Sequence, residues 1–247
     1  MKVIYSHSFY PVYTSDPAAA AGRIEAVMNA LPQDVEWVEA EAATEVQIAL
    51  AHTPEHIESV RREGLYDIAA LAAGGAIQAA RLGLSAPAFG AIRPPGHHAS
   101  ADSCWGFCYF NNMSVALLTL KREGLIDTAT VLDFDLHFGD GNVNILEHRD
   151  WVAICNPASH GRKGYLEEVE TFIASQSSDI IGISAGFDHH REDWGGLLHT
   201  EDYRSMGRMV IQSARKHGGA CFAILEGGYN HTVLGKNAAA LIEGLES

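Results

Sequence analysis

Asp133, Asp135 and His137 stand at alternate positions at the end of a strand-like run. In an extended chain successive side chains point to opposite faces, so these three share one face while Leu132, Phe134 and Leu136 take the other. Carboxylates in a buried strand are costly unless a cation or several donors neutralise them. The plainer alternative is a salt-bridged or helix-capping acidic pair. An imidazole and carboxylates, with Asp188 as a third ligand, suit zinc with a fourth position open for water; ferrous iron is the other candidate.

Three more segments carry chemistry. Arg93-Pro94-Pro95-Gly96 runs into His97 and His98, and the proline-glycine corner stiffens a loop that presents two imidazoles. A histidine doublet alone is more often a surface loop. In the second doublet, His189-His190, at least one ring is expected to have no catalytic part. Asp133 and Asp140 set the first doublet apart, because they supply carboxylates able to hold each ring in one tautomer. Glu226-Gly227-Gly228-Tyr229 offers two glycines for close backbone approach and a phenol able to donate to an oxyanion; an ordinary tyrosine over a turn is the rival reading. Gly106-Phe107-Cys108-Tyr109-Phe110 reads either as core packing ahead of a helix or as the aromatic wall of a narrow pocket.

These residues can act together only if the fold brings them to one edge. Strand-like runs at 2–5, 35–38, 88–92, 129–134, 152–155, 180–184 and 221–225 alternate with helical spacing at 17–30, 54–63, 65–82, 111–123, 165–175, 200–217 and 232–243. That alternation predicts an α/β protein, a parallel sheet covered by helices on both faces. In such sheets ligands bind beyond the carboxyl ends of the strands. Four of these ends lead to His97-His98, to Asp133–His137, to Asp188 and to Tyr229. No repeat or linker divides the 247 residues, so one catalytic domain over 1–247 is expected.

Composition narrows the function. Seventeen Lys+Arg against 31 Asp+Glu give a formal charge of −14, which argues against a phosphate-tracking nucleic-acid binder. With 47% hydrophobic and 19% charged residues, a large core is affordable and bulk disorder is excluded. No apolar run reaches the ~20 residues of a membrane helix, and no leader peptide is visible. Cys104, Cys108, Cys155 and Cys221 lack the framework of a small secreted protein and read as reduced thiols, so a cytoplasmic location is expected. The phosphate-binding loop, the dinucleotide glycine motif, the Gly-x-Ser-x-Gly elbow and the Cys-x-x-Cys pair are all missing, which leaves metal-assisted hydrolysis.

RPPGHHA at 93–99, GFCYFNN at 106–112, DFDLHFGDG at 133–141, SAGFD at 184–188 and LEGGYN at 225–230, in this order, resemble the histone deacetylase family, and the chain looks like a short member of it. That family includes acetylpolyamine amidohydrolases and acetoin-utilisation-type proteins. The resemblance implies a three-layer α/β/α, arginase-like fold around a mainly parallel sheet. It implies that Asp135, His137 and Asp188 bind zinc, that His98 is general base and then acid, and that His97 helps stabilise charge. Asp133 and Asp140 would orient the two histidines, and Tyr229 would join the zinc in stabilising the oxyanion as water attacks an amide carbonyl. Gly106, Phe107 and Gly227 would contact substrate, and a structural potassium ion would lie near 133–137. The implied substrate is a small acylated amine or an acetyl-lysine, with no direct nucleic-acid or membrane partner and self-association left open.

Two other readings compete. An arginase-type ureohydrolase needs two manganese ions and a second carboxylate that is missing beside Asp188. A silent acyl-lysine-binding or metal-binding module is opposed by the intact ligands, His98 and Tyr229. One departure also matters: only 51 positions separate His137 from Asp188, where relatives carry a long loop that supplies a second aromatic wall. Residues 156–164 stand in for it, so Phe107 is expected to face a more open site.

Overall fold

The computed structural model describes residues 1–32 and 34–247. Strands β1 (Lys2–Tyr5), β2 (Glu36–Glu39), β3 (Ala88–Gly90), β4 (Ala129–Asp133), β5 (Val152–Cys155), β6 (Ile180–Ala185) and β7 (Ala220–Leu225) form one sheet in the order β2-β1-β3-β7-β6-β4-β5. Every pairing is parallel. Parallel neighbours cannot be joined by tight turns and need crossovers, which the helices supply: α1 (Arg23–Ala30), α2 (Glu45–Ile48), α3 (Pro54–Arg62), α4 (Tyr66–Gly83), α5 (Asn112–Arg122), α6 (Asp140–Leu146), α7 (Arg162–Ser175), α8 (Thr200–His217) and α9 (His231–Leu245).

All residues of β3, β4 and β6 are buried, as continuous apolar runs in a doubly covered sheet should be. Helices α4 and α5 pack together, with α4 against β1, β3 and β7; α8 packs on β6 and β7 with α7 and α9 beside it, and α1 lies on α9. This is the α/β/α layering expected. The alanine and glycine content of α4 serves close approach: a Cβ on Gly74 would lie 1.8 Å from the Glu41 carbonyl oxygen. All four cysteines are unpaired. Among the described residues no helix is long and apolar enough to cross a membrane.

The helix expected over 17–30 is divided. A 3-10 turn at Pro17–Ala19 is capped by Asp16, and Gly22, at φ +83°, turns the chain before α1 begins. Short α2 and α6 were not foreseen. The former is carried by a capping box in which Thr44 and Gln47 satisfy each other's backbone N–H groups.

Candidate metal centre and catalytic pocket

Strands β3, β7, β6 and β4 are consecutive neighbours, with Gly90, Ile224, Ser184 and Asp133 on one row across the sheet. Because all run the same way, the four loops that follow them rise from one edge and meet.

The strand β4 stops at Asp133, earlier than the sequence pattern suggests. Asp133 Oδ1 accepts the N–H of Asp135 at 3.3 Å, and Asp135 Oδ1 accepts that of His137 at 2.9 Å. Each carboxylate folds back on the amide two residues later, the turn-forming habit of aspartate, and the chain bends instead of staying extended. The bend gives the three side chains different partners, although Asp133 and Asp135 both flank the His97 ring, Asp135 Oδ1 lying 3.7 Å from its Nε2. Asp133 turns to His97 Nδ1 at 3.2 Å, whereas Asp135 and His137 meet Asp188.

Ligating atoms of Asp135, His137 and Asp188 all lie within 4.8 Å of one another. His137 Nδ1 is 3.3 Å from Asp135 Oδ1 and 3.2 Å from Asp188 Oδ2, but the second contact is off the line of a hydrogen bond, and Asp188 Oδ2 is left buried with no donor. Gly227 donates its N–H to Asp135 Oδ2 at 2.8 Å. A Cβ on Gly227 would come within 2.5 Å of Asp135 Oδ2 and 2.7 Å of Asp188 Oδ2, so glycine keeps the cradle clear. The electrostatics ask for positive charge. The hydrogen bond to Asp135, then the Asp188 carboxylate 3.2 Å away, raises the His137 imidazole to about 10, while burial and the Asp135 charge push Asp188 above the usual carboxylate range. Two carboxylates, one imidazole and an oxygen without a donor fit a divalent cation.

The histidine doublet is oriented by two carboxylates. His98 Nδ1 meets Asp140 Oδ1 at 2.6 Å, His97 Nδ1 meets Asp133, and the two rings lie 4.0 Å apart. Their environments differ in sign. Burial, then the His97 charge, lowers His98 to about 4, against the pull of Asp140. Burial also opposes charge on His97, but Asp135 and Asp133 outweigh it and hold that ring well above its ordinary value. One neutral ring beside one cationic ring is the arrangement that separates a base from a charge stabiliser.

A cavity of about 290 Å³ opens over these groups, lined by His98, Trp105, Gly106, Phe107, His137, Trp194 and Tyr229. Gly106 and Phe107 both adopt positive φ, +59° and +67°, and a Cβ on Gly106 would sit 2.3 Å from His98 Cδ2. Phe110 goes to the core while Phe107 goes to the cavity, so both readings of the aromatic segment hold, each for a different ring. Gly227 is not on this wall; it lies against the Asp135 and Asp188 carboxylates. His190 is buried, its Nδ1 accepting from the Glu192 N–H, and His189 packs on Tyr165. Neither lines the cavity.

Two tryptophans went unnoticed in the sequence. Trp105 lies over His98 with ring centroids 3.8 Å apart and donates Nε1–H to Asp140 Oδ2 at 2.8 Å. Trp194 stacks on Tyr229 at 4.0 Å and 23°, opposite Phe107, which meets the same phenol edge-on at 6.0 Å. The site is thus not left with one aromatic wall, because the loop after Asp188 supplies the second. Burial, then the charges of Asp135 and Asp188, hold the Tyr229 phenol far above its ordinary value, so it keeps its proton.

A model of the histone deacetylase domain matches residues 18–166 and 153–245. A probable deacetylase of Archaeoglobus fulgidus is 34% identical over 207 residues, 68% of this chain and 57% of that protein. A histone deacetylase-like amidohydrolase of Pseudomonas aeruginosa is 29% identical over 223 residues, 74% of this chain and 59% of that protein. The chain thus spans under three fifths of either relative's length. The crystal structure of the HDA15 HD domain superposes with a TM-score of 0.87 at 24% identity, covering 99% of this chain and 88% of that one, a likeness of fold.

Proposed function

Because this chain belongs to the histone deacetylase family, we propose that it is a zinc-dependent amidohydrolase, one catalytic domain over 1–247, that removes an acetyl or other short acyl group from a small acylated amine or an acetyl-lysine. The observation that carries this reading is the meeting of Asp135, His137 and Asp188 with His98 and Tyr229 at one aromatic-walled cavity. Zinc is preferred to ferrous iron because three protein ligands with one open position are its catalytic habit. When bound, it supplies Lewis acidity that polarises the amide carbonyl and acidifies water.

The chain's own groups do the rest. His98, neutral and tied to Asp140 through Nδ1, presents Nε2 to take the proton of the attacking water. The water oxygen bonds to the carbonyl carbon, the C–N bond breaks, and His98 returns the proton to the departing amine. Tyr229, kept protonated by burial, donates its O–H to the carbonyl oxygen as negative charge grows there. His97, held by Asp133, balances that charge. Gly106 lets the ring of His98 lie close, and Phe107 and Trp194 flank the acyl-amine stem. A potassium ion near 133–137 and a cytoplasmic location belong to the same proposal.

The test is a screen of zinc-loaded protein against acetylpolyamines and acetyl-lysine peptides, with a hydroxamate control. Acetate release that a chelator abolishes and zinc restores is expected. No release from any substrate would favour the silent module, and urea release with two manganese ions per chain would favour the ureohydrolase.

A further inference from the structure

Glu226 follows the last residue of β7 and is 0% exposed. A buried carboxylate needs a cation or donors, and among the described ion pairs none involves Glu226. Arg23 hydrogen-bonds instead to the main-chain carbonyls of Glu226 and, at 2.8 Å, Gly228. The carboxylate is satisfied by the histidine loop. Oε2 accepts the N–H of Gly96 at 2.7 Å and of His97 at 3.3 Å, and Oε1 accepts the Ser184 hydroxyl at 3.2 Å. Ser184 Oγ accepts from Asn142 Nδ2 at 3.2 Å, and the same amide donates to Asp133 Oδ2 at 2.9 Å. Asp133 Oδ2 is the atom facing His97 Nδ1. His97 is therefore gripped twice, by its ring through Asp133 and by its backbone through Glu226, and Asn142 and Ser184 join the two grips into a ring. The next residue, Gly227, holds Asp135, so two successive residues after β7 tie the histidine loop and a metal ligand to the same strand end.

We propose that Glu226 is a positioning residue for the hydrolysis, setting the place of His97 and His98 over the metal ligands by holding the Gly96 and His97 backbone. The catalytic half of this inference rests on the deacetylase reading; the structural half does not. Misplacing a catalytic group by about 1 Å costs on the order of a hundredfold in rate, so the length of the side chain at 226 should matter more than its charge.

Two variants separate these. Glu226→Gln keeps an oxygen for the two amides and places an NH2 on Ser184 Oγ. Glu226→Asp keeps the charge but withdraws the carboxylate by about one C–C bond, ~1.5 Å. With zinc content equal, Glu226→Gln is expected to retain kcat within about threefold, while Glu226→Asp lowers kcat by about tenfold or more with KM unchanged. Amide hydrogens in the 93–99 segment, followed by mass spectrometry, should exchange at least about tenfold faster in Glu226→Asp than in the parent, and at the parent's rate in Glu226→Gln. An Asp variant as active and as protected as the parent would overturn the proposal. So would equal kcat losses in both variants, or a lost kcat with unchanged exchange. If the parent releases no acetate from any substrate, the deacetylase reading fails, and the exchange comparison still decides the grip.

Discussion

Tyr229 and Phe107 face each other across the same cavity, yet only one has an atom that can respond to charge. The Tyr229 O–H stays protonated through the neutral range because burial and the Asp135 and Asp188 carboxylates oppose its ionisation. In the hydrolysis proposed above its value would lie in a hydrogen bond that strengthens as the carbonyl oxygen becomes an oxyanion, and removing one such donor costs about 10²–10³ in kcat. Phe107 offers only surface, and the loss of a partly buried ring from a binding wall costs about 1–2 kcal/mol, or roughly tenfold in binding. Tyr229→Phe should therefore lower kcat by about a hundredfold while hydroxamate binding persists, and Phe107→Ala should raise KM by about tenfold or less. Steady-state kinetics in which the truncation at 107 does the greater damage would count against the geometry. The same distinction explains what could be read from residue types alone. Asp135, His137, Asp188, His98 and Tyr229 lie in short motifs beside strand ends, where type and neighbour already restrict place. Trp105 and Trp194 lie in irregular loops, half-exposed, with no period to show which cavity they face. The strand stops at Asp133, short of what alternation suggests, because aspartates capture nearby backbone N–H groups, a local bond that overrides strand geometry.

The elements were legible for a different reason. Strands buried on both faces are continuous apolar runs, and long helices keep their period, so their positions emerged to within a few residues. Helix α6 did not, because seven residues beginning Asp140-Gly141-Asn142 carry too little period to register, although the helix delivers Asp140 to His98. Close packing between elements makes two predictions. Gly74 in α4 faces backbone: an added Cβ would meet the Glu41 oxygen at 1.8 Å and the Ala43 nitrogen at 2.5 Å, beside the bond from Ala43 N–H to Ala70 O at 2.8 Å. Alanine gains about 1 kcal/mol of helix propensity, but overpacking against backbone that cannot rotate away costs about 3 kcal/mol. Packing wins, and Gly74→Ala should lower Tm by about 4–8 °C; an unchanged or raised Tm in calorimetry would refute the contact. The second concerns His52, between α2 and α3, whose Nδ1 meets Ser100 O at 2.9 Å and whose Nε2 accepts the Asn111 N–H at 2.8 Å. Nε2 can accept only while it is unprotonated. Burial, then the His56 charge, lowers this ring to about 3. Below the unfolded value of about 6.5 the unfolded chain binds a proton that the folded chain refuses, so stability falls with falling pH by up to about 1.4 kcal/mol per unit between those values. His52→Gln removes the titration. Its Tm, with chelator present in both proteins, should fall less steeply than the parent's from pH 6 to pH 4, and parallel slopes would sink the assignment.

At the scale of the whole molecule, loops from separate strands converge on a group that lacks compensating charge when no cation is bound. Asp135 and Asp188 are both buried, Asp188 has an oxygen with no donor, and the positive charges at hand are protons on His137 and on His97, whose Nε2 lies 3.7 Å from Asp135 Oδ1. Burial and Asp135 raise Asp188, so its folded pKa lies above its unfolded one. An acid shifted in that direction favours the unfolded chain once ionised, and metal-free protein therefore loses stability as pH rises from the unfolded value toward the folded one. A bound divalent cation reverses this by favouring both ionised carboxylates in the folded state alone. Ligand at a hundred times its Kd adds about 2.7 kcal/mol to folding. For a chain of this size that corresponds to roughly 5–10 °C in Tm. A chelator should lower Tm by about that amount at pH 7, zinc should restore it in proportion to the logarithm of its free concentration, and Asp188→Asn should flatten the response. The response is thermodynamic and owes nothing to turnover, so it separates the metal from the chemistry. A melting temperature indifferent to both chelator and zinc would mean that Asp135, His137 and Asp188 meet for some purpose other than holding a cation.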